Sequence, residues 1–408
     1  MTYDAIIIGS RVAGAATAML LARGGYRILV VDRTRFPSDT ISTHIVWQPG
    51  VARLIGWGLG EQLIALEAPP ISTIEFDLGP FSLAGVPPPS GPAENAYAPR
   101  RTLLDSMLAN AAATAGADIR DGFTVDGIIF DGDRVAGIRG HGESGVVLIE
   151  HANIVIGADG VHSILARTIG AHEYNVHPPL TCWYYSYWSG VRNDRIRFFS
   201  REGRAFGCIP TNGGLVCIPV IWPHDRFAEV KRDIERHYLS SLDLAPDFKK
   251  EVLAGKREER FYGTAHIPNY FRSPYGRGWA LVGDAGYHKD PILAQGISDA
   301  FRDASLLATA LDDVFSGRSL WGPALGGYEA ARNSAVAATY EMNTQFAALA
   351  PPAPDMRALM AALRGNQRDT NQFIGTITGT FPVAEFFAPE NVQRILTKRT
   401  QKSQPGAA

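Results

Sequence analysis

The sequence predicts an α/β fold: a helix-covered parallel sheet, interrupted by a mostly antiparallel sheet and followed by a helical C-terminal region. Three observations carry that prediction. Residues 3–33 read as strand, glycine turn, helix, strand. Two later apolar strands each run into a glycine- and aspartate-bearing turn, at Gly157-Ala158-Asp159-Gly160 and at Gly283-Asp284. Between those turns, residues 174–275 alternate aromatic and apolar positions with the period of a sheet.

Tyr3 to Ile8 is a continuous apolar strand, as expected where both sheet faces are covered. Gly9-Ser10-Arg11-Val12-Ala13-Gly14 follows, then an Ala-rich helix to Arg23, a Gly24-Gly25 stop, and a strand from Arg27 to Val31 that ends on Asp32-Arg33. This is the spacing of the dinucleotide fingerprint of a Rossmann-like unit. The first glycine makes the turn, the last lets helix and strand pack closely, and the acidic residue accepts from a ribose hydroxyl. Arg11 stands where the middle glycine is expected. Either phosphate binding shifts, or the Arg11 side chain swings out and adds its charge to a diphosphate or its ligand.

Residues 34–48 form a polar loop that feeds a helix running to about Leu66. Its polar residues include Asp39, Ser42, Thr43 and His44. Ser42 or Thr43 reads equally well as the helix N-cap, with His44 in the first turn. Ile71 to Phe76 alternates as a strand, and the Pro-rich run Val86 to Pro92 is a stiff loop. An amphipathic helix covers 102–115 and stops at Gly116; Arg101 falls at its start by register, with Arg100 competing for the same role. Residues 117–156 read as strands with a hairpin around Asp131-Gly132-Asp133. Asp159 is a good N-cap for a helix over 161–168, with Ser163 and Arg167 in support.

In 174–275, strands are expected at Trp183–Trp188, Arg195–Ser200, Ala205–Pro210 and Leu215–Trp222, with Asn212-Gly213-Gly214 turning a hairpin. The charged segment 224–262 reads as helical and solvent-facing. The apolar strand Trp279–Val282 leads into Gly283-Asp284, a loop with Pro291, and Ala294-Gln295-Gly296, which opens a helix at Ile297. Asp284 at a strand end accepts from a ribityl or ribose hydroxyl, and the free N–H groups after Gly296 offer partial positive charge to an anionic ligand. Long helices fill 297–346. Pro351-Pro352, more helix, the segment Phe373–Phe387 and a polar tail from Lys398 to Ala408, expected to be disordered, complete the chain.

With 408 residues, 46% hydrophobic and 20% charged, the chain has the composition of a globular enzyme with ample core. A formal net charge of -2 leaves no electrostatic footprint for nucleic acid. The three cysteines, Cys182, Cys208 and Cys217, fit no zinc or CxxC spacing and read as buried reduced thiols, so no metal and a cytoplasmic setting are expected. Asp4 stands where a signal peptide needs a basic region, and no stretch approaches a membrane span, so no membrane association is expected.

The N-terminal fingerprint, Gly157-Ala158-Asp159-Gly160 and Gly283-Asp284 through Gly296, in that order and spacing over roughly residues 1–340, resemble the flavoprotein monooxygenase family typified by para-hydroxybenzoate hydroxylase. Geranylgeranyl reductases and flavin-dependent halogenases are wider relatives. The resemblance implies a Rossmann-like FAD-binding domain with an inserted, mostly antiparallel β-sheet substrate domain and a helical C-terminal region. The domain boundaries it suggests are 1–69, 97–173 and 276–346 for FAD binding, 70–96 and 174–275 for substrate, and 347–408 for the helical end. It implies FAD contacts from Gly9, Arg11, Ala13, Gly14, Asp32 and Arg33 in the first motif. Arg101 would lie near the diphosphate, and Asp159 and Gly160 form the second motif. Gly283, Asp284, Pro291, Gln295, Gly296 and Ile297 form the third.

In that family NADPH or NADH reduces FAD, oxygen adds to give a flavin hydroperoxide, and an electron-rich small aromatic or amine is oxygenated. His44 and Tyr187 are the catalytic candidates, and His288 is a further candidate that serves equally well to fold its loop. Tyr185, Tyr187, Phe206 and Pro210 are candidates to face the substrate. A reductase of the geranylgeranyl type is the main alternative. Halogenases carry Trp-x-Trp-x-Ile-Pro where this chain has Phe206-Gly207-Cys208-Ile209-Pro210, without the tryptophans. A non-catalytic flavin-fold escort would lack the Gly-Ala-Asp-Gly turn. Oligomeric state does not follow from the sequence.

Overall fold

The computed structural model describes residues 2–402. Its first sheet places Tyr275–Gly276, Trp279–Leu281, Val147–Gly157, Thr2–Ile8, Ile28–Asp32 and Asp118–Asp121 side by side. All neighbours are parallel except the first two, and a meander of Thr124–Asp131 and Arg134–His141 extends from Val147–Gly157. Register sets Ile8 beside both Val31 and Gly157, and Gly157 beside Leu281. The turns that follow Ile8, Gly157 and Leu281 therefore open at one edge, outside the carboxyl ends of adjacent strands, where open α/β sheets bind ligands.

Helices Val12–Arg23, Arg101–Thr114 and Gly296–Phe315 pack together on one face of this sheet. The small residues of the first helix allow that closeness: Ala15, Ala16 and Ala18 are fully buried in one cluster with Leu104, Leu108, Phe301 and Leu307. Burying side chains of this size contributes roughly 25 cal/mol per Å² of apolar surface removed from water.

The second sheet runs Lys256–Arg257, Thr181–Ser189, Val216–Pro223, Arg204–Pro210, Ile196–Arg201, Ile74–Asp77, Ser82–Gly85. Among the described residues only Ile196–Arg201 and Ile74–Asp77 pair in parallel in this sheet. Period-two alternation gives this sheet two distinct cores. Tyr185, Tyr187, Ile209 and Cys217 face Ile45, Leu293 and the C-terminal helices, through Leu359, Phe373, Ile377 and Phe386. Tyr184, Trp188, Phe206 and Cys208 face the other way, onto Val230, Tyr238, Phe248 and Val252.

Several expectations are corrected. The helix after the polar loop begins at Gln48, with Trp47 at its N-cap and Pro49 in its first turn, and it breaks at Gly56 before a second short helix, Gly60–Ile64. Ser42 and Thr43 cap no helix. Ser42 Oγ instead accepts from the N–H of His44, which lies outside any helix with φ of 65°. Tertiary pairing of Val46 with Tyr97 holds this stretch extended. Asp159 is not the N-cap residue of the second-motif helix, although its carboxylate accepts from that helix's first N–H, at Ile164. That helix is Ile164–Thr168 and its N-cap is Ser163, whose Oγ accepts from Ala166 N–H at 3.1 Å. The segment 224–262 is helical only to Ala254, after which Lys256–Arg257 is a strand, and the inner faces of its helices are buried against the second sheet. Helix Pro389–Lys402 carries through the start of the tail expected to be disordered, and residues 403–408 lie outside the described residues. Among the described residues no helix is long and apolar enough to cross a membrane.

Candidate active site

The three turns meet closely enough that only glycine fits. Gly9 has φ of +101°, and a Cβ there would lie 2.5 Å from the carbonyl oxygen of Ala158. A Cβ on Gly14 would lie 1.8 Å from the Gly9 oxygen, so the first helix crosses its strand at backbone contact. Gly283, with φ of +61°, touches buried Ala13 in the same helix. Asp32 braces the first turn, accepting from Ser10 N–H at 2.9 Å and from Thr34 N–H at 2.8 Å. Arg33 beside it is exposed.

Asp159 accepts from Ile164 N–H at 2.7 Å while its Oδ1 is buried without a partner among the described residues, and burial raises its pKa. Gly160, with φ of +75°, faces open space. Asp284 is exposed, and its carboxylate has no partner among the described residues. Its carbonyl accepts from Tyr270 O–H at 2.6 Å, which fixes the turn and leaves the carboxylate free. The third-motif loop is held from below. Asp290 caps the short turn Pro291–Leu293, and Ala294 takes the left-handed conformation at φ 53°. Gln295 is buried between Lys289 Nζ, which donates to its Oε1 at 2.5 Å, and Ile377 O, which accepts from its amide at 2.7 Å. The side chain of Gln295 is thus spent within the protein. Ile297 packs into the core, and space opens in front of Gly296. A 20-residue helix presents roughly half a positive charge at that end.

The arginines divide their tasks. Arg101 is buried and forks onto Asp105, at 2.9 and 3.0 Å. Arg11 does not swing out: its Nη1 reaches Asp105 at 2.6 Å, and its Nη2 donates to Ser38 Oγ at 3.0 Å and Asp39 O at 3.1 Å. Arg100 turns toward the second sheet, where it pairs with Glu259 at 2.7 Å and Asp39 at 3.1 Å, its guanidinium 3.8 Å from the ring centre of Tyr187.

Tyr187 and His44 are both fully buried, and His44 Nε2 lies 2.5 Å from the Tyr187 hydroxyl. Burial lowers the His44 pKa to about 3 and pushes Tyr187 far above its ordinary value, so both are neutral at pH 7. When Tyr187 donates to Nε2, the ring proton sits on Nδ1, and Nδ1 has no partner among the described residues. Tyr185 and Tyr262 stack beside the pair, with centroids 5.5 Å apart. Gln48, buried with neither amide atom partnered among the described residues, follows four residues after His44.

Of the residues expected to face substrate, Tyr185 and Tyr187 are on the side of the glycine turns. Phe206 is not. It stacks on Phe199, which in turn stacks on Phe248, on the opposite face, and Pro210, paired with Val216, shares that face by alternation. His288 is spent on its loop, with Nδ1 against Pro268 O. Sequence reasoning missed Glu259, Tyr262 and Asp105. The i, i+4 spacing of Arg101 and Asp105 was the signal for one of them.

The donor set fits FAD: glycine turns with no room for side chains, a free carboxylate at a strand end, and a long helix whose N-terminus faces open space. Together the parallel sheet and its three turns define an FAD-dependent oxidoreductase. Residues 2–343 match the family described as FAD binding domain, and the chain belongs to that family. It is 28% identical over 378 residues to digeranylgeranylglycerophospholipid reductase 2 of Methanothermobacter thermautotrophicus, covering 90% of this chain and 92% of the relative. Among solved structures it resembles the flavin-dependent brominase Bmp2, with TM-score 0.82 and 19% identity over 99% of this chain and 100% of that one. It also resembles PqsL, a probable FAD-dependent monooxygenase from Pseudomonas aeruginosa, with TM-score 0.70 and 20% identity over 92% and 99%.

Proposed function

We propose that this protein is an FAD-dependent monooxygenase that uses NADPH or NADH and oxygen to oxygenate a small aromatic or amine substrate, in the cytoplasm. The observation that carries the reading is the buried His44–Tyr187 pair on the turn-facing side of the aromatic sheet. Bound FAD would supply the redox chemistry. Gly9 and Gly14 let the turn and helix pack closely beside it, Gly160 would leave it open space, Asp32 and Asp284 would accept from its hydroxyls, and the helix N-terminus at Gly296-Ile297 would favour negative charge on it. Tyr185 and Tyr187, both buried, and half-buried Tyr262 would keep water from a substrate bound beside them, and an oxygen-transferring centre requires such exclusion.

His44 is neutral and has an unpartnered Nδ1, so it is suited to hold or release one proton at a phenol or aniline brought against it. Arg100 over the face of Tyr187 favours negative charge on that hydroxyl and disfavours a second proton on His44, which makes Tyr187 the better donor. Because Arg100 is already neutralised by Asp39 and Glu259, the wall suits an uncharged ring better than a carboxylate.

The test is reduction of the purified flavoprotein by NADPH or NADH without oxygen, followed by oxygen and a panel of phenols and anilines. A product carrying one atom from labelled oxygen supports the proposal. The similarity to a digeranylgeranylglycerophospholipid reductase favours a second reading, saturation of an isoprenoid double bond. A reduced product with no oxygen uptake would replace the first reading with the second.

A further inference from the structure

Arg11 occupies a position that the dinucleotide fingerprint reserves for glycine, and its side chain is built into the protein at both ends of the fork. Its Nη1 meets Asp105 Oδ2 at 2.6 Å and Ser38 O at 3.4 Å, and its Nη2 meets Ser38 Oγ at 3.0 Å and Asp39 O at 3.1 Å. The guanidinium also lies 5.6 Å from the ring centre of Phe36. Asp105 is fully buried and serves Arg101 as well, so two cations share one carboxylate at the start of the first helix.

Beyond Asp39 the contacts continue. The Asp39 carboxylate takes Arg100 at 3.1 Å, Arg100 lies 3.8 Å over Tyr187, and Tyr187 meets His44 at 2.5 Å. A continuous set of polar contacts therefore runs from the fingerprint turn to the His44–Tyr187 pair, and Arg11 is its link across the 36–39 segment. Glycine at this position has no side chain with which to make that link.

We propose that Arg11 is a positioning residue. It locks segment 36–39 onto helix Arg101–Thr114 and thereby couples retention of the cofactor at the fingerprint turn to the placement of the His44–Tyr187 pair. This rests on the FAD reading above. It differs from a direct role of the Arg11 charge on the diphosphate, because both terminal nitrogens are already bonded to protein. It also depends on the planar fork of arginine, which the point charge of lysine does not reproduce.

The test compares wild type with Arg11→Gly, Arg11→Lys and Ser38→Ala. In the FAD-loaded proteins, the FAD dissociation rate rises about tenfold in both Arg11 variants and by a smaller factor in Ser38→Ala, the scale expected when one charge-assisted bond network is lost. The fine structure of the bound-flavin absorption band, which reports the surroundings of the ring, blurs in both Arg11 variants. In the apoproteins, proteolytic cleavage within 33–43 increases in the same order. Arg11→Lys behaving as wild type would overturn the proposal, since charge alone would then suffice. So would cleavage that increases while FAD release and spectrum stay unchanged. If the Arg11 variants fail to fold, Ser38→Ala decides alone, because it removes one surface-side bond and leaves the buried ion pairs. A wild-type protein that binds no FAD would sink the functional reading, while the apoprotein cleavage series would still decide the locking role.

Discussion

His44 Nε2 stands 2.5 Å from the Tyr187 hydroxyl although the two residues are 143 positions apart in sequence. The contact joins the left-handed bend that ends the polar loop to the second strand sheet. Tyr187→Phe removes the hydroxyl and leaves both ring nitrogens of His44 buried without a partner. We expect a loss of ~1–3 kcal/mol in stability, the cost of an unsatisfied buried group. FAD content should be unchanged and turnover should drop about 10²-fold or more, on the scale of a lost general acid–base group. Full turnover by this variant would remove the pair from the mechanism.

Asp284→Ala should yield protein largely free of flavin. Because its carboxylate is exposed and has no partner among the described residues, the apoprotein should melt at the wild-type temperature. The ratio of flavin absorbance to protein, read beside a melting curve, checks both halves. A variant that keeps its flavin would show that the third motif binds in another way.

Gly14→Val should fail more drastically, since even the first added carbon would sit 1.8 Å from the Gly9 oxygen. Recovery of soluble, FAD-loaded protein would contradict the close crossing of helix and strand.

Two buried groups oppose each other in acid. The folded protein withholds a proton from His44 down to about 3, whereas the unfolded chain takes it up at 6.5, so stability falls as pH drops through that window. Asp290, pushed up to about 7 by burial, holds its proton in the folded state above the ordinary 3.8, so its share of stability falls as pH rises from 3.8 to 7. Between 3.8 and 6.5 the two nearly cancel. Asp290→Asn removes one side of the balance, and the apoprotein should then lose ~1.4 kcal/mol per pH unit more than wild type on acidification below 6.5. Urea unfolding from pH 7.5 to 4.5 measures this, and equal slopes would refute it.

Phe206→Leu should cost ~1–3 kcal/mol through loosened packing and leave the Michaelis constant for substrate unchanged, because the ring lies on the far face of the sheet. Tyr185→Phe should do the reverse. Steady-state kinetics and melting curves on the two variants separate the faces.

The regular parts of the fold were legible because their signals are local. The apolar run Tyr3–Ile8, the Ala-rich helix and the alternation through Trp183–Trp188 each declare their structure within a few residues. The bend at His44 was not legible. Ser42 and Thr43 are good capping residues, and only the bridge from Val46 to Tyr97, more than fifty positions on, overrides them. Register favours Arg101 for the helix start, but the separate task of Arg100 follows from Glu259, which belongs to a segment read as solvent-facing. The face of Phe206 depends on strand register, since a shift of one residue exchanges inside for outside.

The aromatic stack of Phe199, Phe206 and Phe248, with Tyr238 and Trp222 buried in the same layer, gives the sheet a foundation independent of its turn-facing side. A foundation of this kind gives mutational latitude: libraries at Tyr185 and Tyr262 can explore new acceptors while the scaffold beneath them stays intact.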